Sequence, residues 1–187
     1  MSRLIFGAVL TIVILIVIGC GIALLGFLPT NSDAEPPRIE AQIANAALDA
    51  SMEKHAPRVN NPIAPTDDNL IDGIKIYRKN CALCHGDLDR QTATLARSLY
   101  PPAPNLITHP LDDPEWHVFY AIRTGVRYTG MPAWGKVLTE SDMWKLTAFL
   151  TRVEKLPPVV QEYWKNASGV EAPKESGQHG HTHKEHD

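Results

Sequence analysis

The stretch Cys81-Ala82-Leu83-Cys84-His85-Gly86 decides how the rest of the chain is read. Two cysteines spaced Cys-x-x-Cys with a histidine directly after them is the pattern that attaches a c-type haem, in which both thiols add to vinyl groups and the histidine ligates the iron. Anchors about one helical turn apart hold the porphyrin edge, and the next side chain then lies under the metal. A zinc ribbon or finger needs four ligands in paired sets, and the third cysteine of the chain, Cys20, sits in an apolar run far upstream. A thioredoxin-like pair needs βαβ surroundings, whereas these flanks read as helix and proline-rich loop.

At 187 residues the chain has room for one small domain plus accessories. Its net charge of −3 comes without a basic stripe, so nucleic acid is not an expected partner. With two of three cysteines committed to haem, no pair remains for a disulfide, and cysteine usage does not report the compartment. The N-terminus does. No charged residue occurs from Leu4 to Leu28, a length of about 37 Å as helix against a bilayer core of about 30 Å. Arg3 precedes the run, and Asp33 and Glu35 follow it, which puts the N-terminus inside and the haem domain in the periplasm. Val17-Ile18-Gly19-Cys20 also resembles a lipoprotein cleavage box. The apolar run continues to Leu28, however, and a lipidated Cys20 leaves that stretch in water. The expected organisation is a transmembrane anchor at residues 1–28, a linker at 29–67, a haem domain at 68–156 and a polar tail at 157–187.

Within the linker, Arg38 to His55 carries Ile39, Ile43, Ala46, Ala47 and Ala50 at helical spacing after Pro36-Pro37. Two readings stand: a solvated helical spacer, or a docking helix for another membrane subunit. In the haem domain, Asp67 or Asp68 caps a helix from about Asn69 to Cys81, with Leu70, Gly73, Ile74 and Tyr77 on one face. Residues 87–99 read as loop with one helical turn, and Tyr100-Pro101-Pro102-Ala103-Pro104-Asn105-Leu106 is too rich in proline for helix or central strand. Asp113 as N-cap and Pro114 at the first position open a helix that Gly125 stops; its Trp116, Phe119, Tyr120 and Ile122 are core candidates, and His117 reads as a surface residue. Gly125 to Gly135 is an irregular loop. Thr139 and Asp142 form a capping-box-like pair ahead of Trp144, Leu146, Ala148, Phe149, Leu150 and Val153, and Pro157-Pro158 ends that helix.

On these motifs, residues 68–156 resemble the class I cytochrome c family. The resemblance implies an all-α fold around one covalently bound haem c, with Gly73 and Tyr77 letting the first helix cross the one after Thr139 closely. It implies that the Pro104 carbonyl accepts the hydrogen bond of the other His85 ring nitrogen, although a merely structural proline loop is the alternative there. Met131, in a Gly-Met-Pro setting 46 residues after His85, is similar to the family's sixth ligand; Met143 falls in a helix, Met52 precedes the domain and His109 belongs to the other face. Arg127, Tyr128 and Trp134 flank Met131, where they either pair with haem propionates or pack as ordinary surface. Axial His85 and Met131 leave no open coordination position, so the expected role is a membrane-tethered one-electron carrier of a bacterial respiratory chain rather than an enzyme. A cytochrome c subunit of a larger oxidoreductase or terminal oxidase complex is the alternative. Its partners are redox proteins and the membrane. The tail ends in His179, His181, His183 and His186, with metal-ligand chemistry for zinc, copper or nickel or the role of a solubilising end.

Overall fold

The structure, a computed structural model, describes residues 2–88 and 93–169. The histidine-rich end lies outside the described residues. Backbone packing divides the chain into two units, Met1–Ala34 and Glu35–Asp187. The first is built on α1 (Ser2–Leu24), which is long and apolar enough to cross a membrane by length and composition. The helix stops before the apolar run does, at Leu24 rather than Leu28. Phe27 N–H donates to the Ile22 carbonyl (3.1 Å) and Gly26 N–H to that of Ala23 (3.3 Å), with Gly26 at φ +78°, so a Schellman turn closes the last carbonyls.

The second unit is all-helical among the described residues: α2 (Arg38–His55), α3 (Asp67–Asn80), α4 (Ala82–His85), α5 (Ala93–Ala96), α6 (Glu115–Thr124), α7 (Glu140–Leu150) and α8 (Pro158–Ala167). Its centre is the crossing of α3 and α7. Leu70, Ile74 and Tyr77 from α3 and Leu146 and Phe149 from α7 are essentially inaccessible. A Cβ on Gly73 would stand 2.5 Å from the Lys145 carbonyl oxygen and 2.8 Å from Phe149 Cβ. Only glycine permits so close an approach. Tyr77 meets Phe149 edge-on at 5.4 Å, a favoured aromatic geometry, and Phe119 of α6 lies face to face on Trp144 of α7 at 3.7 Å.

Helix ends follow local chemistry, with two corrections to the sequence reading. Thr66 caps α3, its hydroxyl accepting from Asn69 N–H at 3.4 Å, while Asp67 and Asp68 become first-turn acids that suit the helix dipole. At α6 Pro114 is itself extended, at φ −59° and ψ 146°, so it is the boundary residue and Asp113, one position further out, does not cap. Thr139 caps α7 as expected, accepting from Asp142 N–H (3.1 Å) and donating to its carboxylate (2.8 Å).

Two segments outside the expected haem domain pack against it. Pro157-Pro158 ends nothing: Pro158 occupies the first turn of α8, where a missing N–H costs nothing. Val160 and Trp164 of α8 are buried, with Trp164 edge-on to Phe149 at 5.1 Å, so residues 158–167 are not tail. Likewise α2 lies in the second unit against α6. Its inward face is Ala41, Leu48 and Met52, followed by buried Ala56, whereas Ile39 and Ile43 of the stripe seen in the sequence are 71% and 66% exposed. The helix is apolar on two sides, and the side with the less regular spacing is the one that packs.

Candidate haem-binding site

Cys81, Cys84 and His85 sit on the single turn α4 directly after α3, with Cys81 buried and Cys84 and His85 half-buried. Gly86 terminates the turn at φ +84°, and a Cβ there would meet the Asn105 side chain at 2.5 Å. That close approach seats the Pro104-Asn105-Leu106 segment against the motif. Leu106 N–H donates to the His85 carbonyl (3.1 Å), while His85 Nδ1 donates to the Pro104 carbonyl (2.8 Å). A carbonyl can only accept, so the proton is on Nδ1 and the Nε2 lone pair is left for a metal.

Tyr77 fastens the turn from below, its hydroxyl donating to the Gly86 carbonyl (2.7 Å) with that of His85 at 3.1 Å. Burial, reinforced by Cys81 and Asp87, holds that hydroxyl far above the usual tyrosine range, so it stays a donor. Burial lowers the His85 pKa against the raising effect of the Pro104 bond, which keeps the ring in its neutral, ligating form. Burial, with Cys84 adding to it, pushes the Cys81 thiol up to about 12. A thioether has no such proton to lose, so the position suits a capped sulfur better than a thiolate.

The second loop folds back on α6. Gly125, at φ +66°, leaves no room for a side chain: a Cβ would lie 2.7 Å from the Met131 carbonyl and from the Ala133 nitrogen. Val126 N–H donates to the Met131 carbonyl (3.2 Å), and Met131 N–H donates to the Thr129 hydroxyl (3.0 Å). Met131 is half-buried there, whereas Met52 and Met143 are buried in packed helical surfaces and His109 is exposed. Trp134, in a 3-10 turn Trp134–Lys136, packs partly against the core. Arg127 is exposed, and Tyr128 is 89% exposed in left-handed backbone at φ 63°. The two loops meet where the Leu99 side chain lies against Gly130.

Three residues of the site region escaped the sequence. Asp87 is buried and receives Arg78 Nε (2.9 Å), Leu88 N–H (2.8 Å), Trp164 Nε1 (2.8 Å) and Ser168 Oγ (3.2 Å), tying the end of the motif to α3 and α8. Burial opposes its charge, but these donors win and hold the carboxyl below its usual range. Asn105 Oδ1 accepts from Ile107 N–H (2.9 Å) and Thr108 N–H (3.0 Å), a turn signal its asparagine could have disclosed. His117 is a correction. Both ring nitrogens are buried and lack hydrogen-bond geometry, with Glu53 of α2 at 3.4 Å and Asp113 at 3.6 Å.

Residues 68–150 match the family model described as cytochrome c oxidase, cbb3-type, subunit III. A search of curated proteins found no match. Among solved structures, a chain of the Kuenenia stuttgartiensis reducing HAO-like protein complex aligns with 52% of this chain at 24% identity and a TM-score of 0.43. The alignment spans 50% of that solved chain. The Cys81–His85 turn, the α3–α7 crossing and the family match together make residues 68–150 a cytochrome c domain.

Proposed function

We propose that the chain is a membrane-tethered one-electron carrier holding a single haem c, with Cys81 and Cys84 as thioether anchors and His85 and Met131 as axial ligands. The observation that carries this reading is the His85 Nδ1 bond to Pro104, which fixes the ring and its tautomer as metal-bound histidines require. When bound, haem c supplies Fe(III)/Fe(II) cycling, and a methionine opposite a histidine favours the reduced state. The protein's own part is to orient the imidazole through Pro104 and the Gly86–Asn105 contact, and to fold the Met131 loop back onto the end of α6.

Tethering rests on α1, and the placement of the haem domain in the periplasm rests on Arg3 before it and Asp33 and Glu35 after it. Because α2 belongs to the second unit, the leash between α1 and α2 is residues 25–37, a reach of roughly 45 Å at most. So short a leash suits partners that are themselves in the membrane. The name of the matched family favours a second reading, a cytochrome c subunit within a larger oxidase-like complex.

Purified full-length protein should keep its haem in SDS and stain for haem peroxidase activity near 20.7 kDa, and Cys81→Ala/Cys84→Ala should abolish the stain. Met131→Ala should turn the ferric haem partly high-spin and admit carbon monoxide to the reduced form. An unstained native chain refutes haem attachment, and an unchanged Met131→Ala spectrum refutes Met131 as ligand. Co-purification of further membrane subunits in mild detergent decides for the complex over the free carrier.

A further inference from the structure

The segment of residues 99–106 touches three things that matter to the iron. Leu99 lies against Gly130, next to Met131. The Pro104 carbonyl holds His85. Between them, the Tyr100 hydroxyl donates to Glu40 Oε1 at 2.7 Å across 60 residues of sequence. Glu40 is in the first turn of α2, and the far end of that helix is anchored on α6, the helix whose C-terminus leads into the Met131 loop: Met52 and Ala56 are buried, and Glu53 faces His117 near the start of α6. Arg58 pairs with Glu53 and lies 5.4 Å over the Trp116 ring, and Asn61 Nδ2 donates to the Trp144 carbonyl (3.1 Å), so this end of α2 is held to α6 and α7.

We infer that α2 is a clasp across the haem crevice, and that Glu40 and Tyr100 are positioning residues that keep the His85-side and Met131-side loops together. The inference deepens the proposed function and rests on its axial-ligand reading. The mechanism is geometric. A helix pinned to α6 at one end and to Tyr100 at the other limits how far residues 99–106 can move from the Met131 loop. Displacement of Met131 by an outside ligand needs such a movement. Prolines remove backbone donors at 101, 102 and 104, and the segment is otherwise held at Ala103 N–H to the Ala96 carbonyl (3.2 Å) and Leu106 N–H to the His85 carbonyl (3.1 Å), which leaves residues 100–102 to the Glu40 bond.

The test uses imidazole binding to the oxidised, full-length holoprotein in detergent, followed by absorbance. Met131→Ala is measured first, and a large acceleration confirms that imidazole reports on the Met131 position. Glu40→Ala and Tyr100→Phe should each bind imidazole about threefold faster than wild type with a scarcely altered melting temperature. The double variant should match the singles, because both remove one bond. Glu40→Gln, which keeps an acceptor oxygen, should bind at the wild-type rate, as should Ile43→Ala on the exposed face. Wild-type rates in both Glu40→Ala and Tyr100→Phe overturn the clasp. If Met131→Ala does not respond, the axial reading fails instead, and the clasp is then read from amide hydrogen exchange: faster exchange at residues 99–106 in Glu40→Ala upholds it and unchanged exchange overturns it.

Discussion

The α3–α7 crossing and the pair of loops flanking the haem motif are held in opposite ways. The crossing is side chain against side chain, with Tyr77, Ile74, Leu146 and Phe149 inaccessible and Gly73 admitting no added atom. The loops are backbone devices: positive-φ glycines at 86 and 125, prolines at 101, 102, 104 and 132, and a few bonds such as Pro104–His85 and Val126–Met131. Packing of the first kind is intolerant of volume changes. Geometry of the second kind leaves side chains such as His85 and Met131 partly exposed.

The most severe way to break the contrast is to enlarge the crossing. Gly73→Val has no accommodating movement, because its first clash is with the Lys145 backbone. A loss of about 3 kcal/mol or more is expected, measured by guanidinium unfolding of the holoprotein, with haem still covalently attached in whatever remains. Stability near wild type would mean that the helices can slide apart and that the crossing is not the rigid half of the molecule.

Tyr77 joins the two halves, since its ring packs on Phe149 and its hydroxyl serves the carbonyls of the haem turn. Tyr77→Phe keeps the ring and removes the bond, leaving the buried Gly86 carbonyl short of a donor. The expected loss is about 2 kcal/mol, together with faster hydrogen exchange at residues 82–86. If stability falls and exchange does not change, the hydroxyl supports the crossing alone.

The crossing was legible because its signals are local: Leu70, Gly73, Ile74 and Tyr77 share one helical face, and Thr139 opens the partner helix three residues ahead of Asp142. The Cys81–His85 turn was legible as a short local motif, whereas its Pro104 partner came from the family resemblance, with a structural proline loop as the alternative. What escaped depends on contacts between distant residues. Trp164 to Asp87 spans 77 positions, and nothing near Pro157-Pro158 distinguishes a proline that ends one helix from one that starts the next. In α2 the regular stripe of Ile39 and Ile43 was the wrong guide, because periodicity says that a face is apolar and not which partner it meets.

Asp87 tests that hidden link. Its folded pKa lies below its unfolded value, near 3.9, so its contribution is present above that value and is lost as pH falls through the folded pKa. Asp87→Asn should cost about 1 kcal/mol near neutral pH, mainly by giving up the Arg78 ion pair. Its stability should then fall less steeply than wild type below about pH 4. Equal acid slopes in the two proteins would assign the acid sensitivity to other carboxylates.

The smallest effect is expected at Tyr128, the loop residue whose side chain is most exposed and whose backbone is least comfortable. A tyrosine at φ 63° carries a left-handed strain that glycine does not feel, while glycine adds unfolded-state entropy of similar size. Tyr128→Gly should therefore leave stability within about 0.5 kcal/mol of wild type. At 89% exposure its ring has little packing to lose. The reduction potential separates the two uses proposed for this residue: an unchanged potential marks Tyr128 as surface, whereas a clear shift makes its hydroxyl a partner of the haem propionates and gives this exposed loop a function that packing does not reveal.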